Sequence, residues 1–162
     1  MRELWQHIGL LVRKRARPDD RLMQLDFAFL ADFAQVASGK LYVVGGAFDR
    51  IVARDVPVVH ALMTLAVRMV LTPAEVSRPH HVEVVILDED GKRIADVNGN
   101  LMVDRPETGE HWKPVPAMLT WNFLNVQFER FGSYGVEILV NGSSVKSLPL
   151  EIASPRQEPR VT

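Results

Sequence analysis

The stretch GKLYVVGGAFDRI, residues 39–51, holds a double glycine, Gly45-Gly46, at the end of an apolar run of Leu41, Tyr42, Val43 and Val44. A strand that empties into glycines is how nucleotide-binding loops present backbone N–H groups to phosphate. That chemistry also needs a following helix whose N-terminus faces the anion. Here AFDRIVARDVP follows, with Phe48, Ile51 and Val52 suited to extended structure, Pro57 closing it, and no Gly-Lys-Ser/Thr. The glycines therefore read as a bulge, or as a place of close backbone approach at a sandwich corner.

His80-His81 suggests a metal ligand pair, but neighbours on a strand point to opposite faces and do not share one ion. His7, His60 and His111 are scattered outside any zinc-site spacing. The acidic DEDG at 88–91, with Asp96 and Asp104 nearby, resembles a calcium-holding rim, and it is also an ordinary hairpin turn; the turn is the expectation. Ser38, Ser143 and Ser144 stand in turn-like contexts, and neither Cys nor a G-x-S-x-G elbow is present to supply a nucleophile. No catalytic residue, cofactor or metal is expected. Asp26 and Asp32 share the first strand, and Arg50 and Arg68 lie on strands expected nearby; if the four meet they make an interior polar network or a concave site. Trp112 and Trp121, with Tyr42, could make a sugar-stacking platform, but Trp121 reads as core and Trp112 as the exposed candidate; Tyr134, after Gly132-Ser133, reads as a tyrosine corner.

The elements that must position these residues are short and β-like. In HALMTLAVRMVL the odd positions Ala61, Met63, Leu65, Val67, Met69 and Leu71 are apolar, while the even face carries His60, Thr64 and Arg68. This is the pattern of a half-buried strand. Similar alternation recurs in LDFAFLADFA, KLYVVGGAFDRIVA, HHVEVVILDEDG, RIADV to Val103, AMLTWNFLNVQF, YGVEILV and SLPLEI. The fold class predicted is all-β: an antiparallel β-sandwich of seven to eight strands, Ig-like or C2-like, with a short N-terminal helix. At Asn141-Gly142 a two-residue loop would pair Ile138 with Val145 and split the large residues between faces. A three-residue loop with a glycine bulge, pairing Val136 with Lys146 and Tyr134 with Leu148, reunites them and is preferred.

Three segments are expected: a basic amphipathic appendage over 1–22, a β-sandwich domain over 23–152 and a flexible tail over 153–162. In the appendage Leu4, Trp5, Ile8, Leu11 and Val12 line one helical stripe, followed by Arg13, Lys14, Arg15 and Arg17 and then Pro18. Six basic residues against three acidic ones give it +3 and leave −4 for the rest of the chain. The whole chain is near neutral, with Lys+Arg 19 against Asp+Glu 20 over 162 residues, so no global field recruits nucleic acid. Absence of Cys fits a reducing compartment, and cytoplasm is the expected location.

The order MQLDFAFLADFA, SGKLYVVGGAFDRI, VVHALMTLAVRM, RPHHVEVVILDEDGK and FGSYGVEILVNGSSVKSLPLEI resembles a family of bacterial domains of unknown function. The resemblance covers residues 23–152 and implies a small sandwich with no activity to carry over. The expected function is a non-catalytic module that binds another protein or a second copy of itself. A C2-like or lectin-like module acting on calcium and lipid or on sugar is the alternative, an unrecognised enzyme comes third, and for the N-terminal stripe docking on protein is expected ahead of an anionic membrane.

Overall fold

The computed structural model describes residues 23–105, 107 and 112–155. The expected N-terminal helix with its docking stripe lies outside the described residues, as does most of the expected tail. Among the described residues nine strands are seen: β1 Gln24–Ala37, β2 Lys40–Phe48, β3 Arg50–Val52, β4 Val58–Leu71, β5 His80–Asp88, β6 Arg93–Leu101, β7 Val115–Phe128, β8 Gly132–Val140 and β9 Ser143–Ala153. They form a four-stranded sheet, β2-β1-β4-β7, and a five-stranded sheet, β3-β9-β8-β5-β6. Between them Met63, Leu65, Val67 and Met69 from one sheet share a core with Val82, Val84, Ile86, Val136 and Ile138 from the other. Each such side chain, fully buried, contributes roughly 1.5–3 kcal/mol.

The all-β sandwich expected from alternation is observed, with two corrections. KLYVVGGAFDRIVA is not one strand, because it crosses between the sheets at Asp49 and divides into β2 and β3. The pairing is also not purely antiparallel: β3 lies parallel to β9, with Arg50 opposite Glu151 and Ile51 opposite Ile152.

In strand β4 the odd positions Met63, Leu65, Val67, Met69 and Leu71 are buried as read, but Thr64 and Ala66 on the even face are fully covered too, and Ala61 is exposed. The reason lies in its partner. In β7 the buried positions change parity between Phe123 and Val126, on either side of Asn125, whose φ is 52°. The register does not slip there, since His60 still faces Val126 and Met63 still faces Phe123. Cross-strand partners share a face, so both strands turn over together and carry His60 to the core side. On its other side β4 pairs with β1 only as far as Ala31 opposite Thr64. Beyond that point β1 continues with β2 alone, as a hairpin arm closed by Ser38 and Gly39, both at positive φ. The sheet forks, and the fork opens the mouth of the sandwich.

The C-terminal hairpin corrects the preferred loop. Val140 faces Ser143 across the two-residue turn Asn141-Gly142, with φ of 50° and 80°, the conformation whose twist matches the flanking strands. The extra residue is Val145, one step inside β9, after which Ile138 faces Lys146, Val136 faces Leu148 and Tyr134 faces Leu150. A one-residue slip was needed to reunite the large residues, and the strand supplies it instead of the loop.

Candidate functional site

The acidic turn is held by a cation of the protein itself. Asp88 Oδ1 accepts the N–H groups of Asp90 at 3.0 Å and Lys92 at 2.8 Å, and Gly91, at φ +76°, donates its N–H to the Asp88 carbonyl at 2.9 Å. Arg130, from the β7–β8 connection, lies 2.8 Å from Asp90, 3.4 Å from Asp88 and 3.5 Å from Glu89. The guanidinium is raised above its ordinary range first by its hydrogen bond to Asp90, then by the charge of Asp90, with Glu89 and Asp88 adding to it. Carboxylates that would form a calcium rim are thus already shared around one fixed charge. Tyr134 secures the backbone beneath: its O–H donates to the Arg130 carbonyl at 2.9 Å and accepts the Arg130 N–H at 3.3 Å. Its ring meets Phe128 edge-on at 5.0 Å. The tyrosine corner read from the sequence is present.

Of the four residues nominated as a polar network, two pair with each other and two go to the mouth. Asp26, the extra residue of a bulge between Leu25 and Phe27, forms an ion pair with Arg68, both over a third exposed. A pair this wet contributes little, on the order of 0–1 kcal/mol. Arg50 instead pairs with Glu151 on β9, with Nη2 at 2.7 Å and Nε at 2.9 Å from the same carboxylate oxygen. Asp32 lies over Gly45: a Cβ built there would stand 2.1 Å from Asp32 Oδ2, and Gly45 has φ +59°. The double glycine is therefore a place where a carboxylate passes close to bare backbone, beside a bulge at Ala47 with φ 63°. The close approach is that of a side chain.

Asp32, Gly45, Gly46, Phe48, Arg50, Ile51 and His60 line a pocket of about 420 Å³ at the fork. Sequence reasoning passed over His60 because it stands on what reads as the polar face of β4; only the turnover at Asn125 brings it inward. A neighbouring hollow of about 510 Å³ is lined by Asp49, Arg50, Ser133, Tyr134, Pro149, Leu150 and Glu151.

The histidine pair separates as expected, His80 buried and His81 exposed. His80 Nε2 lies 2.9 Å from the Glu75 carbonyl and Nδ1 lies 3.3 Å from Asn141 Nδ2, so the ring sits between an acceptor and a donor. The Glu75 carboxylate, buried with no opposite charge paired to it among the described residues, accepts the Met23 N–H at 2.6 Å and both the N–H and the hydroxyl of Thr72 at 2.8 and 2.9 Å. This knot ties the start of β1 to the β4–β5 loop. Sequence reasoning missed Glu75, whose only signal is a Thr three residues earlier. Among the described residues no group of three or more His, Cys, Asp or Glu could hold a metal ion, and none of their helices is long and apolar enough to cross a membrane.

The hairpin arm carries an apolar face. Phe33 opposes Val44 and Gln35 opposes Tyr42; alternation puts all four on one side of the ribbon. Phe33 is 40% exposed, Tyr42 55% and Val44 63%. Trp112 is exposed with Lys113 Nζ 5.3 Å from its ring centroid, while Trp121 is half-buried against the core.

A family model described as "Family of unknown function (DUF6941)" matches residues 26–153, and the chain belongs to that family. The resemblance read from strand order is thereby borne out. No curated protein matches the chain at a significant level. Among solved structures, Pseudomonas fluorescens alkylpurine DNA glycosylase AlkC bound to DNA containing an abasic site analog is similar over 78% of this chain and 30% of that one, at 13% identity and a TM-score of 0.42. A glycosyl hydrolase family 2 member from Bacteroides cellulosilyticus DSM 14838 is similar over 60% and 14%, at 15% identity and a TM-score of 0.32. The chain spans less than a third of either of those chains, and at these scores neither likeness bears on what it does.

Proposed function

We propose that this domain is a non-catalytic β-sandwich module that docks another protein chain, a second copy included, through the apolar face of the β1–β2 arm. The observation that carries this reading is the row of Phe33, Val44 and Tyr42 exposed together on the part of the β1–β2 hairpin that extends past the last pairing with β4. Contiguous apolar surface in water is costly, and partners cover it. Strand β2 is also a sheet edge, and between Leu41 and Phe48 it carries no charged residue to discourage pairing. The polar residues considered for chemistry have structural work: Asp88 and Asp90 hold a turn, Asp26 and Arg68 pair, and Ser144 donates to Glu137. The C2-like calcium reading loses support because Arg130 already occupies the acidic turn.

The test places a photo-reactive phenylalanine at Tyr42 or, as a control on the same sheet, at Gln127. Irradiation in cells gives a discrete protein adduct from position 42 and none from 127. Tyr42→Glu with Val44→Glu in the full chain removes association measured by sedimentation while leaving the unfolding midpoint within the error. Adducts equal at both positions, or unchanged association in the double variant, would overturn the reading.

A further inference from the structure

We infer that the protein pairs with a second copy of itself by joining the two β2 edges, antiparallel and centred on Tyr42. The inference rests on the docking reading above and names its partner. Among the described residues four strands end the two sheets, β2 and β7 in one, β3 and β6 in the other. Exposed edges invite pairing, and proteins blunt them with charge, proline, irregular backbone or brevity. Strand β3 is three residues long, β6 carries Arg93 and Asp96, and β7 carries Pro116 and the left-handed Asn125. In β2 the irregular backbone is confined to the root, at Gly45 and Ala47, and the arm from Lys40 to Val44 bears one charge, Lys40 at its tip.

The geometry of that arm selects a register. Ser38 and Gly39, at φ 50° and 70°, make a two-residue turn, so the flanking pair Ala37 and Lys40 exchange hydrogen bonds. By alternation Lys40, Tyr42 and Val44 turn their backbone groups toward β1, and Leu41 and Val43 turn theirs to the open side. Left-handed residues bound this outward pair, Gly39 before it and Gly45 after it. A two-fold axis through Tyr42 sets Leu41 of each copy opposite Val43 of the other, and every bond forms within extended backbone. An axis at Leu41 would set Val43 against Gly39. One at Val43 or Val44 would set Leu41 or Val43 against Gly45. The one register that uses the whole edge is therefore symmetric, and a symmetric register favours an identical chain, whose groups meet it twice. Charge agrees: antiparallel pairing keeps the two Lys40 side chains apart and brings each to the root of the other arm, the end that carries Asp32. On the apolar face Tyr42 meets its counterpart, and Val44, 63% exposed, lies beside the aliphatic stem of the partner's Lys40.

The chain has no cysteine, so single cysteines introduced into the full chain report the register. Tyr42 faces its counterpart in a non-hydrogen-bonded pair with Cα atoms about 4.5 Å apart, within the roughly 4.4–6.8 Å that disulfides span. Tyr42→Cys is expected to give a disulfide-linked dimer on mild oxidation, and Gln127→Cys none. Leu41→Cys and Val43→Cys should each link poorly alone and well when mixed, because each faces the other across the axis. Val43→Pro removes an outward N–H and leaves the pairing with β1, so it should weaken association at least tenfold in sedimentation without moving the unfolding midpoint. Equal linking at positions 42 and 127, or association unchanged by Val43→Pro, would overturn the inference; should the proline variant not fold, the cysteine series decides alone. If Tyr42→Cys stays monomeric while a photo-reactive group at position 42 still captures a different protein, the docking face stands and a second copy is not its occupant. If both fail, the docking reading falls with it.

Discussion

Gly45 excludes a side chain for two separable reasons. Its φ of +59° disfavours any L-residue, and a Cβ would press on Asp32 at 2.1 Å. The left-handed conformation costs about 1–2 kcal/mol in a residue with a Cβ, and crowding typically adds about 1 kcal/mol or more. Gly45→Ala is expected to lower stability by about 2–3 kcal/mol in urea unfolding. In an Asp32→Ala background the same change should cost only the conformational part, about 1–2 kcal/mol. Equal costs in the two backgrounds would mean that the carboxylate swings aside freely. Residues of this kind were half legible: the sequence suggested that glycines 45 and 46 serve close packing, but nothing local said that the packed group is Asp32, thirteen residues earlier on the neighbouring strand.

Among elements, the β8–β9 hairpin depends on the one extra residue at Val145. Strand side chains alternate with period two, so removing that residue would turn Leu148, Leu150 and Ile152 away from the core. Deleting Val145 is expected to cost more than about 3 kcal/mol, read from the thermal midpoint, because several buried side chains leave together. Deleting it while inserting one glycine into the turn restores Ile138 opposite Lys146, and most of the stability should return. Strand identities were readable from alternation because burial on one face leaves a period-two trace. The crossing at Asp49 was not, because β2 and β3 together look like one apolar run and only the partners differ. His60 was misplaced for the same reason: a face reversal at Asn125 on a different strand decides which way it looks.

For the whole molecule, the knot at Glu75, which holds the Met23 N–H, bears on how the fold begins. A chain started at Met23 is expected to unfold in one cooperative transition by circular dichroism, with a midpoint no lower than that of the full chain. Its α-ammonium would stand where the Met23 N–H now meets Glu75 at 2.6 Å, and charge-assisted bonds are the stronger kind. A lowered midpoint or a broad transition would make residues 1–22 part of the core. The parallel pairing of β3 with β9 has a further consequence in time. Arg50 and Glu151 are 101 positions apart, so at synthesis rates of about 5–20 residues per second β3 waits roughly 5–20 s for its sheet neighbour β9 to be made. Through that interval the nascent chain can close the sheet built on β1 and β4 but not the other. The last of the described strands to leave the ribosome is the one that pins β3.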